Sequence, residues 1–340
     1  MSTVTLSPSG QSVPIAEGDT VLQALEKGGF AMPSNCRAGT CGECKVRVIE
    51  GEVDQGFVMD MSLSQEDRQN GYRLICVSTP LTDRVVIEWG ANNVAPKLFP
   101  PREGMLYLMV DKIARTPRIV ELHLMPLGEP MRFWPGQYVA IKAPRADRPR
   151  HYSLAKSPRP DGMIVLQITR VEGGITSNWL HQDVSIGATL SISGPYGAFI
   201  GDPKAETPVL CLAAGSGQAP ILSLADAALR RNYSAPVTLL FSARTADDVY
   251  AQGQLAYWKH MHRNFRSLIT LTREQRGGML HGRIPDILPG LFPDLSEYSV
   301  FIAGSPQFSD DCVKVVKQLG AKDELLHMEK FVGQLTPHPA

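Results

Sequence analysis

The 340-residue sequence has no run near the roughly 18 apolar residues that a membrane span needs, so no transmembrane helix and no membrane partner are expected. It has no excess of charge. The 34 Lys and Arg balance 34 Asp and Glu, which removes the broad basic field of a nucleic-acid binder. The opening MSTVTLSPSG lacks the basic and apolar segments of an export leader, so the expectation is a cytoplasmic protein with reduced cysteines. Internal repeats and low-complexity tracts are missing too. What is present is 43% apolar residues, 30 Gly and 26 Pro, a composition for several cores joined by many turns. At roughly 150 residues per domain the length predicts two or three domains.

Charge is divided along the chain. Residues 1–95 hold 7 basic and 12 acidic side chains, leaving 27 basic and 22 acidic in residues 96–340. The opposite signs suit docking or steering, and equally suit simple solvation.

Residues 3–6 and 11–15 alternate around Ser7-Pro8-Ser9-Gly10, a hairpin pattern. A helix follows, capped by Asp19 or Thr20, with Val21, Leu22 and Leu25 on one face and Gly28-Gly29 as its stop. After a Gly- and Cys-rich loop come predicted strands at 45–49, 74–77 and 84–89, completing a small mixed domain over residues 1–92. Residues 91–104 break all periodicity, so a linker is placed at 93–104. Strands predicted at 106–113, 119–125, 138–142, 163–170 and 189–193 suggest an antiparallel barrel over 105–202. From residue 203 to 340 strands alternate with helices: strands at 209–213, 237–242, 267–271 and 299–303, helices at 219–231 and 247–258. That rhythm predicts a parallel nucleotide-binding sheet.

Four of six cysteines fall as Cys36-x4-Cys41-x2-Cys44, with Cys76 after a gap of 31 residues. This is the plant-type spacing for a two-iron two-sulfur cluster, in which soft thiolates hold iron. Gly39 and Gly42 keep the loop's amides bare toward the sulfurs. Zinc is the weaker reading, since only Cys41 and Cys44 form a C-x2-C pair. Cys211 and Cys312 sit in apolar or helical surroundings and read as packed residues. His260 and His262 read as ordinary residues, and nothing points to a Rieske site.

Four further segments are individually weak. Arg150-His151-Tyr152-Ser153 offers a phosphate clamp, an apolar cover and a hydroxyl. Gly173-Gly174-Ile175-Thr176-Ser177 opens a helix with free amides, as an ordinary capped turn also would. Gly215-Ser216-Gly217-Gln218-Ala219-Pro220 and Ala303-Gly304-Ser305-Pro306 each follow an apolar strand, which in a parallel sheet brings both to one crevice.

In their order these segments resemble the ferredoxin-NADP reductase superfamily, in the form fused to an N-terminal plant-type ferredoxin found in oxygenase reductases. The resemblance rests on NCRAGTCGEC with Cys76, RHYSLA, GGITSNWL, SGPYGAF, AAGSGQAP, AGSP and MEKF. It implies a β-grasp α+β ferredoxin domain, an antiparallel β-barrel flavin domain and an α/β parallel-sheet nucleotide domain. Cys36, Cys41, Cys44 and Cys76 would hold the 2Fe-2S cluster. Arg150 would contact the FAD phosphates, Tyr152 would pack on the ring and Ser153 would lie near its reactive nitrogen. Gly174, Thr176 and Ser177 would hold the pyrophosphate. Gly215, Ser216 and Gly217 would cradle the nicotinamide cofactor, with Gly304 and Ser305 along its path, and Glu329 and Phe331 would approach the flavin. Ser216 and Gln218 depart from the family's Thr and apolar residue, and Gly304-Ser305-Pro306 from its Gly-Pro-Pro.

The implied activity is an NADH-dependent oxidoreductase that feeds a terminal oxygenase component, working as a monomer. NADH is favoured over NADPH because Arg244 is one cation beside Asp247 and Asp248. Two alternatives stand beside it: a reductase serving a deoxysugar dehydratase, and a non-enzymatic redox sensor or carrier.

Overall fold

The computed structural model describes residues 2–89, 98–202 and 204–331. They form two compact units, one holding residues up to Pro101 with Tyr196–Ala198, the other Arg102–Pro195 with Phe199–Phe331. Among the described residues no helix is long and apolar enough to cross a membrane.

The first unit contains β1 (Thr3–Ser7), β2 (Ser12–Pro14), α1 (Val21–Lys27), β3 (Lys45–Glu50), β4 (Val53–Asp54), α2 (Gln65–Gln69), β5 (Tyr72–Leu74), β6 (Thr79–Pro80) and β7 (Arg84–Glu88). Its main sheet runs β2-β1-β7-β3-β5, with β1 and β7 parallel and the other pairs antiparallel. Of the two caps expected for α1, Thr20 is used: its Oγ1 accepts from Gln23 N–H and the Gln23 side chain accepts from Thr20 N–H. Asp19 instead pairs with Lys27 at 2.7 Å. The α1 face of Val21, Leu22 and Leu25 is fully buried in one core with Val4, Leu6, Val85 and Ile87, at about 2 kcal/mol per side chain. The strand expected at 74–77 ends at Leu74, and a turn bond from Val77 N–H to Leu74 O takes Cys76 out of the ladder.

The second unit begins with β8 (Arg102–Ala114), β9 (Ile119–Pro126), β10 (Tyr138–Ile141), β11 (Arg150–Ser153), β12 (Ile164–Thr169), α3 (Ile175–Gln182) and β13 (Thr189–Tyr196). The sheet order is β11-β10-β13-β8-β9-β12. A bridge from Leu154 to Leu166 brings the two edges together into a near-closed barrel. Part of the expected linker lies outside the described residues, but Arg102, Glu103 and Gly104 already belong to β8, with Arg102 in register opposite Gly194.

The same unit continues through β14 (Val209–Ala214), a 3-10 turn (Gly215–Gly217), α4 (Gln218–Arg230), β15 (Val237–Ala243), a second 3-10 turn (Ala246–Asp248), α5 (Gln252–Met261), β16 (Phe265–Leu271), β17 (Leu280–His281), α6 (Ile284–Leu291), β18 (Ser299–Gly304), α7 (Pro306–Gln318) and β19 (Leu326–Lys330). Six parallel strands run β17-β16-β15-β14-β18-β19. Apolar clusters form on both faces of this sheet, which explains the nearly continuous apolar runs in β14, β15 and β18. The helix expected from Asp247 starts at Gln252, because Ala251 takes a left-handed backbone (φ 60°) that separates it from the turn before. Strand order reverses between β14 and β18, the switch point where ligands of open parallel sheets bind.

Candidate functional site

In the first unit the loop from α1 to β3 gathers the cysteines. Cys36, Cys44 and Cys76 are buried and Cys41 is half-buried. The free Cys36 sulfur is in hydrogen-bond contact with those of Cys41 and Cys76, and Cys44 with Cys76, so all four converge. These contacts push the thiols apart in acidity: Cys36 is lowered by Cys41 and Cys44 by Cys76, whereas Cys36 raises both Cys41 and Cys76. Four sulfurs gathered in one place offer a set of soft donors that suits a metal centre.

The loop is fixed from outside. Arg37, at φ 52°, gives both terminal nitrogens to the Glu26 carboxylate at 2.5 and 2.9 Å. Ala38 and Thr40 aim their N–H groups at Cys36 Sγ at 3.4 and 3.3 Å. Ser62 Oγ donates to Thr40 O at 2.6 Å and Met59 N–H to Gly39 O at 3.1 Å. A Cβ on Gly39 would stand 2.3 Å from Phe57 O, so the turn admits only glycine. Four thiols and two inward amides match the donor set of a two-iron two-sulfur cluster.

In the second unit β11 carries Arg150, Tyr152 and Ser153. Arg150 reaches the carbonyls of Arg148 and Pro149. Burial raises the Tyr152 phenol, with Arg150 pulling the other way. Ser153 Oγ donates to Glu329 Oε2 at 3.1 Å. Burial drives the Glu329 carboxyl up to about 8, opposed by that bond. Gly174 caps α3 without a side-chain partner, leaving backbone donors at the helix start. Thr176 Oγ1 is buried with no partner, while the Ser177 hydroxyl accepts from Val171 N–H at 3.2 Å and so braces the loop itself.

The turns after β14 and β18 touch. A Cβ on Gly217 would lie 2.1 Å from Ala303 O and 2.9 Å from Gly304 N. β19 pairs with β18 so that Glu329 stands opposite Ala303, and Phe331 N–H donates to Gly304 O at 2.7 Å. Ser153, Gly217, Gly304, Glu329 and the Phe331 backbone are thus linked in one neighbourhood. The Ser305 hydroxyl is occupied in capping α7, accepting from Phe308 N–H. Ser216 Oγ meets Thr169 Oγ1 at 2.8 Å. Cys211 and Cys312 are buried, their thiols pushed up to about 12 by burial.

One polar cluster was not foreseen. Asp226 on α4 accepts from Ser157 N–H and hydroxyl and from Arg159 at 3.0 Å, tying the segment after β11 to α4. The partners lie 67 to 69 positions apart, and no local pattern announces them.

This geometry agrees with the chain's similarity to known proteins. Residues 4–81 match the 2Fe-2S iron-sulfur cluster binding domain, 109–200 the oxidoreductase FAD-binding domain and 211–314 the oxidoreductase NAD-binding domain. The sequence is 33% identical to the reductase subunit of aromatic O-demethylase from Amycolatopsis sp., over 97% of this chain and 98% of that one. The chain belongs to the reductase components of oxygenase systems. It is also 30% identical to DmpP, the reductase component of phenol 2-monooxygenase from Pseudomonas sp., over 96% of this chain and 94% of that one. The crystal structure of the Amycolatopsis cytochrome P450 reductase GcoB is similar with a TM-score of 0.88 at 30% identity, covering 97% of this chain and 99% of that one. This oxygenase reductase is therefore an oxidoreductase whose cofactors are a 2Fe-2S cluster, FAD and a nicotinamide dinucleotide.

Proposed function

We propose that this chain draws reducing equivalents from NADH and delivers them through its cluster to the terminal oxygenase component of an aromatic-hydroxylating or demethylating system. The observation that carries this reading is the Ser153–Glu329 hydrogen bond, which joins the flavin-type barrel to the last strand of the nucleotide-type sheet beside Gly304. Bound FAD supplies the chemistry that accepts a hydride and releases electrons singly.

The chain's residues supply binding and exclusion. Arg150 and the backbone amides of the first turn of α3, after Gly174, present donors for flavin phosphates. Tyr152 offers an apolar ring beside them. Gly215, Ser216 and Gly217 hold the dinucleotide, with Gly304 and Ser305 next to its reactive end. Glu329, buried and protonated at neutral pH, keeps a proton beside Ser153 Oγ without placing a charge there. Cys36, Cys41, Cys44 and Cys76 hold the cluster.

Arg244 supports NADH over NADPH. Its guanidinium makes two 2.9 Å bonds to Asp248, so this cation is already neutralised and poorly suited to a 2′-phosphate. The protein acts as a cytoplasmic monomer in this reading, which size-exclusion chromatography checks.

The test is turnover by the purified holoprotein. NADH should drive reduction of ferricyanide and, through the cluster, of cytochrome c and a reconstituted oxygenase component. Cys41→Ser should keep the ferricyanide reaction and lose transfer to the oxygenase. Undiminished transfer in that variant, or protein free of iron after reconstitution, would overturn the reading.

A further inference from the structure

A buried polar chain crosses the second unit from the barrel to the glycine turn after β14. Glu121 on β9 stands in register opposite Gln167 on β12, on the same sheet face. Glu121 is 5% exposed and accepts from Arg115 at 2.7 Å, His123 at 2.8 Å and Gln167 Nε2 at 2.9 Å. Burial works to raise this carboxyl, yet the three donors hold it at about 2, so it stays ionised. With its amide nitrogen committed, Gln167 turns Oε1 toward Tyr250, whose hydroxyl lies 3.1 Å from it and 3.1 Å from Gly215 O.

Gly215 O also accepts from Gln218 N–H, the bond that closes the 3-10 turn. The single Tyr250 O–H proton is shared between Gln167 Oε1 and Gly215 O, so the hydroxyl bridges Gln167 to the carbonyl on which that turn is built. Tyr250 is 3% exposed and set edge-on against Phe241 at 5.6 Å, so its ring is fixed. Packing alone would be met by Phe at this place; a buried hydroxyl persists where its bonds are used. Thr169, two residues beyond Gln167 on β12, makes a second tie to the same turn through Ser216 Oγ at 2.8 Å.

We propose that Glu121, Gln167 and Tyr250 form a strut that positions the 215–217 turn for the nicotinamide dinucleotide, so that affinity for NADH is set partly by residues of the barrel. The inference rests on the reading that this turn holds the dinucleotide. Tyr250 and Gln167 are positioning residues that act through Gly215 O. Loosening the turn weakens ground-state and transition-state binding alike, which raises KM and spares kcat.

The experiment uses holoprotein and NADH:ferricyanide kinetics on Tyr250→Phe, Gln167→Leu, Thr169→Val and Gly217→Ala, with FAD content and melting temperature measured beside them. One lost hydrogen bond predicts a KM raised roughly 3- to 10-fold in Tyr250→Phe and Gln167→Leu, with kcat within about twofold. Thr169→Val should show a smaller rise of the same kind. Gly217→Ala, whose Cβ has no room, should nearly abolish NADH use while FAD stays bound. If Gly217→Ala raises KM and neither Tyr250→Phe nor Gln167→Leu does, the strut is wrong and the turn reading stands. If Gly217→Ala leaves KM unchanged, both fail. Loss of FAD or a melting drop that accounts for the KM rise makes these residues structural and also overturns the proposal.

Discussion

The Ser153 hydroxyl donates to the carboxyl oxygen of a residue 176 positions later, Glu329, at 3.1 Å. The bond joins the end of a short barrel strand to the edge strand of a parallel sheet. Both side chains are nearly inaccessible, at 7% exposure each.

Stability should therefore depend on pH through Glu329. Its carboxyl is raised from 4.5 to about 8 in the fold, so between those values the native chain keeps a proton that the unfolded chain releases. The stabilisation is complete below 4.5 and is lost as pH rises through about 8. Its size is on the order of a few kcal/mol. Thermal melts from pH 5 to 9 should show Glu329→Gln more stable relative to wild type at the alkaline end. Parallel curves would exclude this assignment.

Glu26→Ala should cost on the order of 1–3 kcal/mol, because it removes both charge-assisted bonds to the Arg37 guanidinium, which is only 15% exposed. The cluster loop hangs on that pair, so visible absorption of the cluster should fade sooner on dilution or mild heating. Glu26→Gln keeps one acceptor and should fall between.

Gly39→Ala should leave the first unit iron-poor. The residue is at φ 72° and its new Cβ meets a backbone carbonyl rather than a movable side chain, so the loop must shift at a cost above about 1 kcal/mol. Iron and acid-labile sulfide per chain measure the effect.

Coenzyme choice should respond to Asp248→Asn. Arg244 now holds the Asp248 carboxyl below its usual range through direct bonds. Removing the anion frees the guanidinium for a 2′-phosphate, and kcat/KM for NADPH should rise roughly 3- to 10-fold at low salt. An unchanged NADPH to NADH ratio would place discrimination elsewhere.

Much of this site could be read from local spacing. The cysteine motif sits within nine consecutive residues plus Cys76, and the glycine turns follow apolar strands, so both were visible in the chain order. Where the sequence misled, tertiary context decided. Residues 75–77 carry strand-like side chains, yet Cys76 has to leave the ladder to face the other thiols. The left-handed Ala251 delays α5, although alanine gives no hint of such a backbone. Bonds from Gln167 to Glu121 and to Tyr250 span 46 and 83 positions, and no periodicity encodes a pairing of that range.

The parallel pairing of β1 with β7 has a practical outcome for anyone wishing to transplant the iron-binding module. A fragment cut after Cys76 keeps all four of these cysteines but loses the strand that unites the opening hairpin with β3. A graft must therefore run from Thr3 through Glu88, since possession of the four sulfurs alone would leave them unassembled.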